Sequence, residues 1–339
     1  MFPRWFGPLA AVVLTAATLA GCSDTLEQFA GPTMGSTYSI KYVRSSQAPT
    51  VGEVRAAVDD ILSTLDRQVS TYRSDSDLQR FNALPAGQCL AMPPSVVQLT
   101  AFGQSLAQRS AGAFDLTLEP LLNLWGFGPQ SRGQQVPDAA AIAGVLQQIG
   151  LQHVRIEGEQ LCKDIDLQLE FNSIAAGYAV DQVSAYLRSQ GIHNYLVEIT
   201  GELQARGHKP DGSSWRIGVE APREDRQVAQ QVLNIDGWSV STSGDYRNYY
   251  EENGVRLSHT LDPRTGHPVS HALAAVTVLH ESALQADGLS TLLMVLGPEQ
   301  GLAYAEKEQL AALFVSRVKG EFVSQASSVF TQRFATEEN

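Results

Sequence analysis

NSIAAGYAVDQVSAYLRSQG, residues 172–191, and the stretch that follows it, NYLVEITGELQARG at 194–207, decide the class of fold. The first reads as a helix: Asn172 or Ser173 carries the side chain an N-cap needs, and Gly191 stands where a helix stops. The second opens a run of strands that continues through SWRIGVEAP, QVLNIDGWSVSTSG and AAVTVLH. Upstream, HVRIEG and LCKDIDLQLEF read as a hairpin leading into that helix, preceded by another helix at 138–149. STYSIKYV, 36–43, alternates as a half-buried strand does. VGEVRAAVDDILSTLDRQVS, 51–70, sets Val54, Val58, Ile61, Leu62 and Leu65 on one helical stripe, and PPSVVQLTAFGQSLAQRSAG, 93–112, is a helix opened by proline and closed by glycine. FDLTLEPLLNLWGFGP, interrupted by Pro120, fits neither a clean helix nor a strand and reads as a packed loop or a short helix at a site. Downstream, SALQADGLSTLLMVLG, 282–297, is a helix of small and apolar residues, and a strand-rich region follows it. Helices and strands do not alternate strictly, so the chain reads as mixed α+β and not as a doubly wound sheet.

Residues 1–21 read as a signal peptide, with Arg4 in a short basic region and an apolar run from Leu9 to Ala20 that is too short for a committed membrane span. The run ends in LAGC, which resembles the bacterial lipoprotein box. Cleavage before Cys22 and lipidation of its thiol would anchor the mature chain to a membrane, with 22–30 as a short tether and 31–335 as the folded domain. An ordinary secretory leader with an accidental cysteine is the alternative. Ser23 after the cysteine favours the outer over the inner membrane, and the domain would face the periplasm.

Roughly 318 residues then remain, enough for one large or two medium domains with a substantial core. A formal charge of -12 argues against binding a nucleic-acid backbone, and an acidic chain that holds an anionic ligand needs a metal or helix N-termini to do so. Beyond Cys22 only Cys89 and Cys162 occur, so the fold is no disulfide scaffold, and whether that pair is joined stays open.

Three places carry candidate chemistry. Asp287 and Thr291 lie four apart on one helix, which stacks a carboxylate and a hydroxyl on one face, as a hard cation accepts when phosphates complete its shell. A buried aspartate capping a neighbouring loop is the alternative. Gly201, Gly207, Gly244 and Gly266 sit near strand ends where backbone N–H groups approach a phosphate, although turn geometry alone explains each singly. In VRLSHTLDPRTGHPVS, 255–270, His259 precedes a tight Asp262-Pro263-Arg264-Thr265-Gly266 turn and would serve as a general base, with His267 in reserve. No GxGxxG, GxxxxGK or GxSxG pattern occurs, which removes the sequence support for a dinucleotide fold of that kind, a P-loop and a seryl hydrolase.

Taken together, ordered blocks of the chain resemble the ApbE family of flavin transferases. They are GPTMGSTYSI (31–40), VSTYRSDSDLQRFN (69–82), GAFDLTLEPLLNLWGFG (112–128), FNSIAAGYAVDQV (171–183), VEITGELQARG (197–207), STSGDYRNYY (241–250), SHTLDPRTGHP (258–268) and ADGLSTLLMVLG (286–297). The resemblance implies an α+β fold with two sub-lobes and an Mg2+-dependent enzyme. Such an enzyme cleaves FAD between the FMN phosphate and AMP and passes FMN to a Thr or Ser hydroxyl of a partner, a membrane-bound or periplasmic redox subunit. Some relatives hydrolyse FAD to FMN and AMP instead.

Carried over by position, Asp287 and Thr291 resemble the metal ligands, assisted by a main-chain carbonyl near Ser173 and one near Ser290, and His259 resembles the base. Tyr72 is placed as a stacking group, Met34 and Trp125 beside the rings, and Asp181, Glu198, Thr242, Ser243 and Gly244 as polar or backbone contacts to FAD. Two positions depart from the family pattern: IAAG puts Ala176 where a lysine is frequent, and EFNS, 170–173, replaces an acidic-Leu-Gly-Gly run. An FAD diphosphatase, a flavin-binding lipoprotein without turnover and an assembly factor for a redox complex are the rival readings.

Overall fold

The computed structural model describes residues 24–334 apart from 132, 223–228 and 247; the proposed leader, Cys22 and Ser23 lie outside the described residues. In chain order the elements of the first half are β1 (Thr25–Thr33), β2 (Ser36–Arg44), α1 (Val51–Val69), α2 (Asp77–Asn82), β3 (Cys89–Ala91), α3 (Pro94–Arg109), α4 (Glu119–Trp125), α5 (Ala139–Leu146), β4 (Val154–Glu157), β5 (Gln160–Lys163) and α6 (Ala175–Ser189). The second half adds β6 (Tyr195–Ile199), β7 (Glu202–Arg206), β8 (Trp215–Glu220), β9 (Ala229–Ile235), β10 (Trp238–Gly244), β11 (Tyr249–Glu252), β12 (Val255–Ser258), β13 (Leu261–Asp262), β14 (His267–Pro268), β15 (Leu273–His280), α7 (Ala283–Lys307), β16 (Ala311–Val318), β17 (Glu321–Ala326) and α8 (Ser328–Phe334).

Eight strands form one antiparallel sheet in the order β1-β2-β6-β7-β10-β15-β16-β17. Helices α1, α3, α6 and α7 bury their apolar stripes in one large core that includes residues of β2, β6 and β15. A second core joins the sheet to the β8–β9 ribbon and α8 through Trp215, Ile217, Leu233, Val240 and Phe330. Seven of the eight residues of β15 are buried, as expected of a central strand covered on both faces, whereas β8 alternates buried and exposed. A third, smaller core holds α4 and α5 together with Leu261.

Local signals account for most of these elements. Thr50 and Glu53 form a capping box at the start of α1, whose inward face is Val54, Val58, Leu62, Leu65 and Val69, with Ile61 half-buried beside it. Gly191, at φ 73°, ends α6 as expected, but neither Asn172 nor Ser173 caps its start. Ile174 holds that position, and the amides of Ile174 and Ala175 donate to the Phe171 carbonyl instead. α7 outruns its expected end: the helical backbone breaks at Gly297, just before Pro298, and resumes to Lys307.

The stretch expected as a tether is strand from Thr25 onward. β1 pairs with β2 from Thr25↔Arg44 to Thr33↔Ser36, and Phe29 packs edge-on against Tyr38 and Tyr42 at 6.1 and 6.4 Å. Burying such a ring, worth about 2 kcal/mol, is more than a free tether can gain. Cys89 and Cys162, opposed in the β3–β5 ladder, are joined by a disulfide.

Candidate functional site at one end of the sheet

Backbone geometry opens a site at one end of the large sheet. β1 and β2 turn through Met34-Gly35, at φ 46° and 73°, and β6 and β7 through Thr200-Gly201, at φ 54° and 109°. Such two-residue turns, with positive φ at both central residues, match the twist of a hairpin and end its strands abruptly. The ladder between β7 and β10 ends at Leu203↔Val240, yet β10 pairs with β15 as far as Gly244↔Ala275. Residues 241–244 therefore run past the stopped hairpin with one edge open. There lies a cavity of about 520 Å³, reached by Thr242, Ser243 and Gly244 from β10 and by Asp287 and Thr291 from α7.

The α7 wall is dense in bonds. The Asp287 carboxylate accepts the Gly177 N–H of α6 at 2.8 Å. Gly177 has to be glycine: a Cβ there would run into the Ala283 carbonyl and the Asp287 side chain. Burial, then the neighbouring Glu202 negative charge, raise the Asp287 carboxyl well above the usual carboxylate range, and the Gly177 bond lowers it in part. Ser290, fully buried, donates to the Asp287 carbonyl at 2.9 Å and meets the hydroxyls of Ser241 and Ser243 at 2.9 and 2.8 Å. Its single proton and both lone pairs are thus engaged, so its side chain rivets β10 to α7 and is not free to hold a metal.

The opposite wall carries His259 on the short connection after β12. The ring is half-buried, and its Nδ1 lies 2.9 Å from the Asn248 carbonyl oxygen. A carbonyl only accepts, so Nδ1 carries the proton of the neutral ring and Nε2 is left as the base. Burial holds the imidazole below its ordinary value, against smaller opposing effects of the Asn248 bond and the Asp245 charge. Beyond it the expected tight turn closes, with the Gly266 N–H donating to the Asp262 carbonyl at 2.8 Å and the Arg264 guanidinium gripping the Asp262 carboxylate at 2.8 and 2.9 Å. His267, the reserve group, packs against Trp125 at 5.7 Å and does not line the cavity.

Of the residues singled out from sequence, Tyr72, Ser173, Gly201, Thr242, Ser243, Gly244, His259, Asp287 and Thr291 line this cavity. Met34, Trp125, Asp181, Glu198 and Ser290 do not. Met34 sits at a hairpin tip and packs against the large core. Trp125 is buried and donates from Nε1 to the Gly266 carbonyl at 2.8 Å, supporting the loop after His259. The Asp181 carboxylate accepts from Ser282 Oγ and from the Ala283 and Leu284 amides at 2.7, 2.8 and 3.1 Å, which ties it to the start of α7, whose N-cap is Ser282. Glu198 accepts the Gly201 N–H at 2.9 Å and braces the hairpin turn.

Three lining acids had escaped notice: Asp115, Glu170 and Glu202. A signal existed for the first two, since each is a charge flanked by apolar residues, in FDL and LEF. Among the described residues, one His, Cys, Asp and Glu cluster is compact enough for an ion, Cys89, Glu157 and Cys162, and its thiols are consumed by the disulfide. The Asp287 region is a different donor set. Its carboxylate, the Thr291 hydroxyl and the buried Ser173 Oγ, which has no hydrogen-bond partner, suit a hard cation that shares ligand oxygens. A cation there would also relieve the repulsion between Asp287 and Glu202.

The cavity thus brings together oxygen donors from α7 and a neutral imidazole from the loop after β12. The chain belongs to the ApbE family, whose model matches residues 34–314. It is 41% identical over 330 residues to the FAD:protein FMN transferase of Vibrio cholerae, covering 96% of this chain and 98% of that one. The crystal structure of the Pseudomonas stutzeri flavinyl transferase ApbE in apo form superposes with a TM-score of 0.88 at 58% identity, covering 93% of this chain and 98% of that one. The flavin transferase ApbE from Vibrio cholerae gives 0.85 at 40% identity, covering 91% and 99%.

Proposed function

We propose that this chain is an Mg2+-dependent FAD:protein FMN transferase that places FMN on a Thr or Ser hydroxyl of a partner protein and releases AMP. The observation that carries the reading is that the free Nε2 of His259 and the Asp287–Thr291 pair face one cavity. Asp287, Thr291 and the backbone near Ser173 would hold the cation, which supplies charge neutralisation to the diphosphate. His259 takes the proton of the acceptor hydroxyl at Nε2 as that oxygen bonds to the FMN phosphorus. The bond from that phosphorus to the bridging oxygen breaks, and AMP leaves with the electron pair. Thr242, Ser243 and Gly244 offer polar groups along the open edge of β10, and Tyr72, 71% exposed at the rim, offers a ring for stacking.

Lipidation of Cys22 would anchor this domain at the periplasmic face of a membrane, where redox subunits bearing a Ser/Thr target segment are its partners. Among the described residues no helix is long and apolar enough to cross a membrane. The test is mass spectrometry of an acceptor domain incubated with enzyme, FAD and Mg2+. A gain of one FMN phosphoester, lost on chelation, is expected. FMN and AMP accumulating with no adduct on two acceptors would replace the transferase by an FAD diphosphatase, and intact FAD would leave a binding protein. Cys22→Ser is expected to release the protein from membranes, and unchanged association would reject the anchor.

A further inference from the structure

The break in α7 gives the segment that carries the cation wall an end of its own. The backbone leaves the helix at Gly297, at φ 77° and ψ -177°, immediately before Pro298. Asp287, Ser290 and Thr291 precede the break, with Met294 and Val295 buried in the last turn before it. In an unbroken helix the N–H of residue 298 would serve the Met294 carbonyl, and proline has none. A donor comes from outside α7. His271, between the loop of His259 and β15, brings Nε2 within 2.8 Å of the Met294 carbonyl oxygen.

A carbonyl only accepts, so Nε2 carries the proton of the neutral ring. Nδ1 is buried without a hydrogen-bond partner, which suits an unprotonated nitrogen and not an imidazolium. Burial holds the imidazole below its ordinary value, against smaller opposing effects of the Met294 bond and the Asp245 charge. Gly297 makes room for the ring: a Cβ there would lie 2.5 Å from the imidazole, and side chains rarely adopt its φ. The backbone on either side of His271 is fastened as well. The Val269 amide donates to the Thr260 carbonyl at 3.0 Å, and the Arg317 amide donates to the Ala272 carbonyl at 2.8 Å. Thr260 lines the cavity next to His259. The segment 259–271 is thus closed on itself beside the base and pinned to α7 at its far end.

We propose that His271 is a positioning residue: its Nε2–H pins the loop of His259 to the end of the cation-bearing segment of α7, and so fixes where the base stands relative to the cation site. Ser290 already rivets that segment to β10, so the loop, and not the helix, shifts when the pin is lost. The inference rests on the transferase reading above, and it gives a role to a side chain that does not line the cavity.

The experiment measures FMN transfer, FAD affinity, Mg2+ requirement and melting temperature of the purified full-length protein and of three variants. Glutamine places its amide nitrogen where Nε2 stands, asparagine stops short of it, and phenylalanine fills the volume of the ring with no donor. His271→Phe and His271→Asn are expected to lower kcat about tenfold at saturating FAD and Mg2+, as befits a displaced base, while FAD affinity and Mg2+ requirement keep their wild-type values. His271→Gln is expected to restore kcat to within about twofold of wild type. A side chain with a structural role alone would lower the melting temperature and leave the kcat of the folded protein untouched. Wild-type kcat in the Phe and Asn variants, an equal loss in the Gln variant, or a loss that appears in the Mg2+ requirement and not in kcat overturns the proposal. Should His271→Phe fail to fold, the Asn and Gln variants carry the same comparison. Absence of FMN transfer by the wild type would instead strike the transferase reading itself, and the inference with it.

Discussion

The two walls of the cavity are built differently. Asp287 and Thr291 project from the part of α7 that precedes its break at Gly297, packed against a central strand, and a hydroxyl ladder through Ser290 ties the two together. His259 sits among strands of four and two residues, held by one carbonyl at Nδ1 and by a turn whose last residue is fastened to Trp125. Positioning a cation against a diphosphate needs several oxygens fixed at once, which long elements with shared bonds supply. A base that must meet the hydroxyl of an incoming protein needs a correct tautomer and an accessible nitrogen, and a short loop provides both.

That contrast predicts unequal damage. Asp287→Ala removes the anionic ligand from the rigid wall and is expected to abolish transfer, a loss of roughly 10³-fold or more, as befits several kcal/mol of charge stabilisation. Turnover near wild type with Mg2+ present would take Asp287 out of the site. His259→Ala is expected to lower transfer about 10²- to 10⁴-fold while FAD affinity is kept. If the variant binds FAD weakly but transfers normally once saturated, His259 is a binding residue and the comparison of walls fails.

Smaller changes sharpen it. Gly177→Ala pushes α6 away from α7 and turns the N–H that orients Asp287, so a higher Mg2+ requirement is expected together with about 1–3 kcal/mol of lost stability. Unchanged Mg2+ dependence despite lost stability would separate packing from ligand orientation. Trp125→Phe keeps most of the apolar volume but strips the donor from the Gly266 carbonyl, at a cost of about 1 kcal/mol. Its expected signature is a few-fold lower kcat with unaltered Mg2+ dependence, and an effect on the metal requirement would mean that the two walls are coupled.

How much of this was legible depends on the range of the signal. Helices α1 and α3 repeat apolar residues at helical spacing and appear where local pattern places them, and α6 ends at its expected glycine although its expected caps do not start it. Asp287 and Thr291 were legible as a pair because four residues of helix is a fixed distance. Trp125, Asp181 and Glu198 belong to the right blocks, but their side chains bond outside the cavity. A block says which residues are near a site, whereas the direction of a side chain depends on what packs behind it. Asp181 illustrates the limit: nothing local announces that its carboxylate will bond to the distant start of α7.

By itself the sequence determined the mixed α+β class, the periodic helices, the turn beyond His259 and the oxygen pair on α7, because each is encoded within a few residues by propensity or spacing. Tertiary structure alone decided that two hairpins stop short to leave a cavity beside β10, that Cys89 and Cys162 meet, and that Asp115 and Glu170, far apart in sequence, line the same cavity. Burial and hydrogen-bond supply are properties of segments brought together from afar, and no short window of sequence contains them.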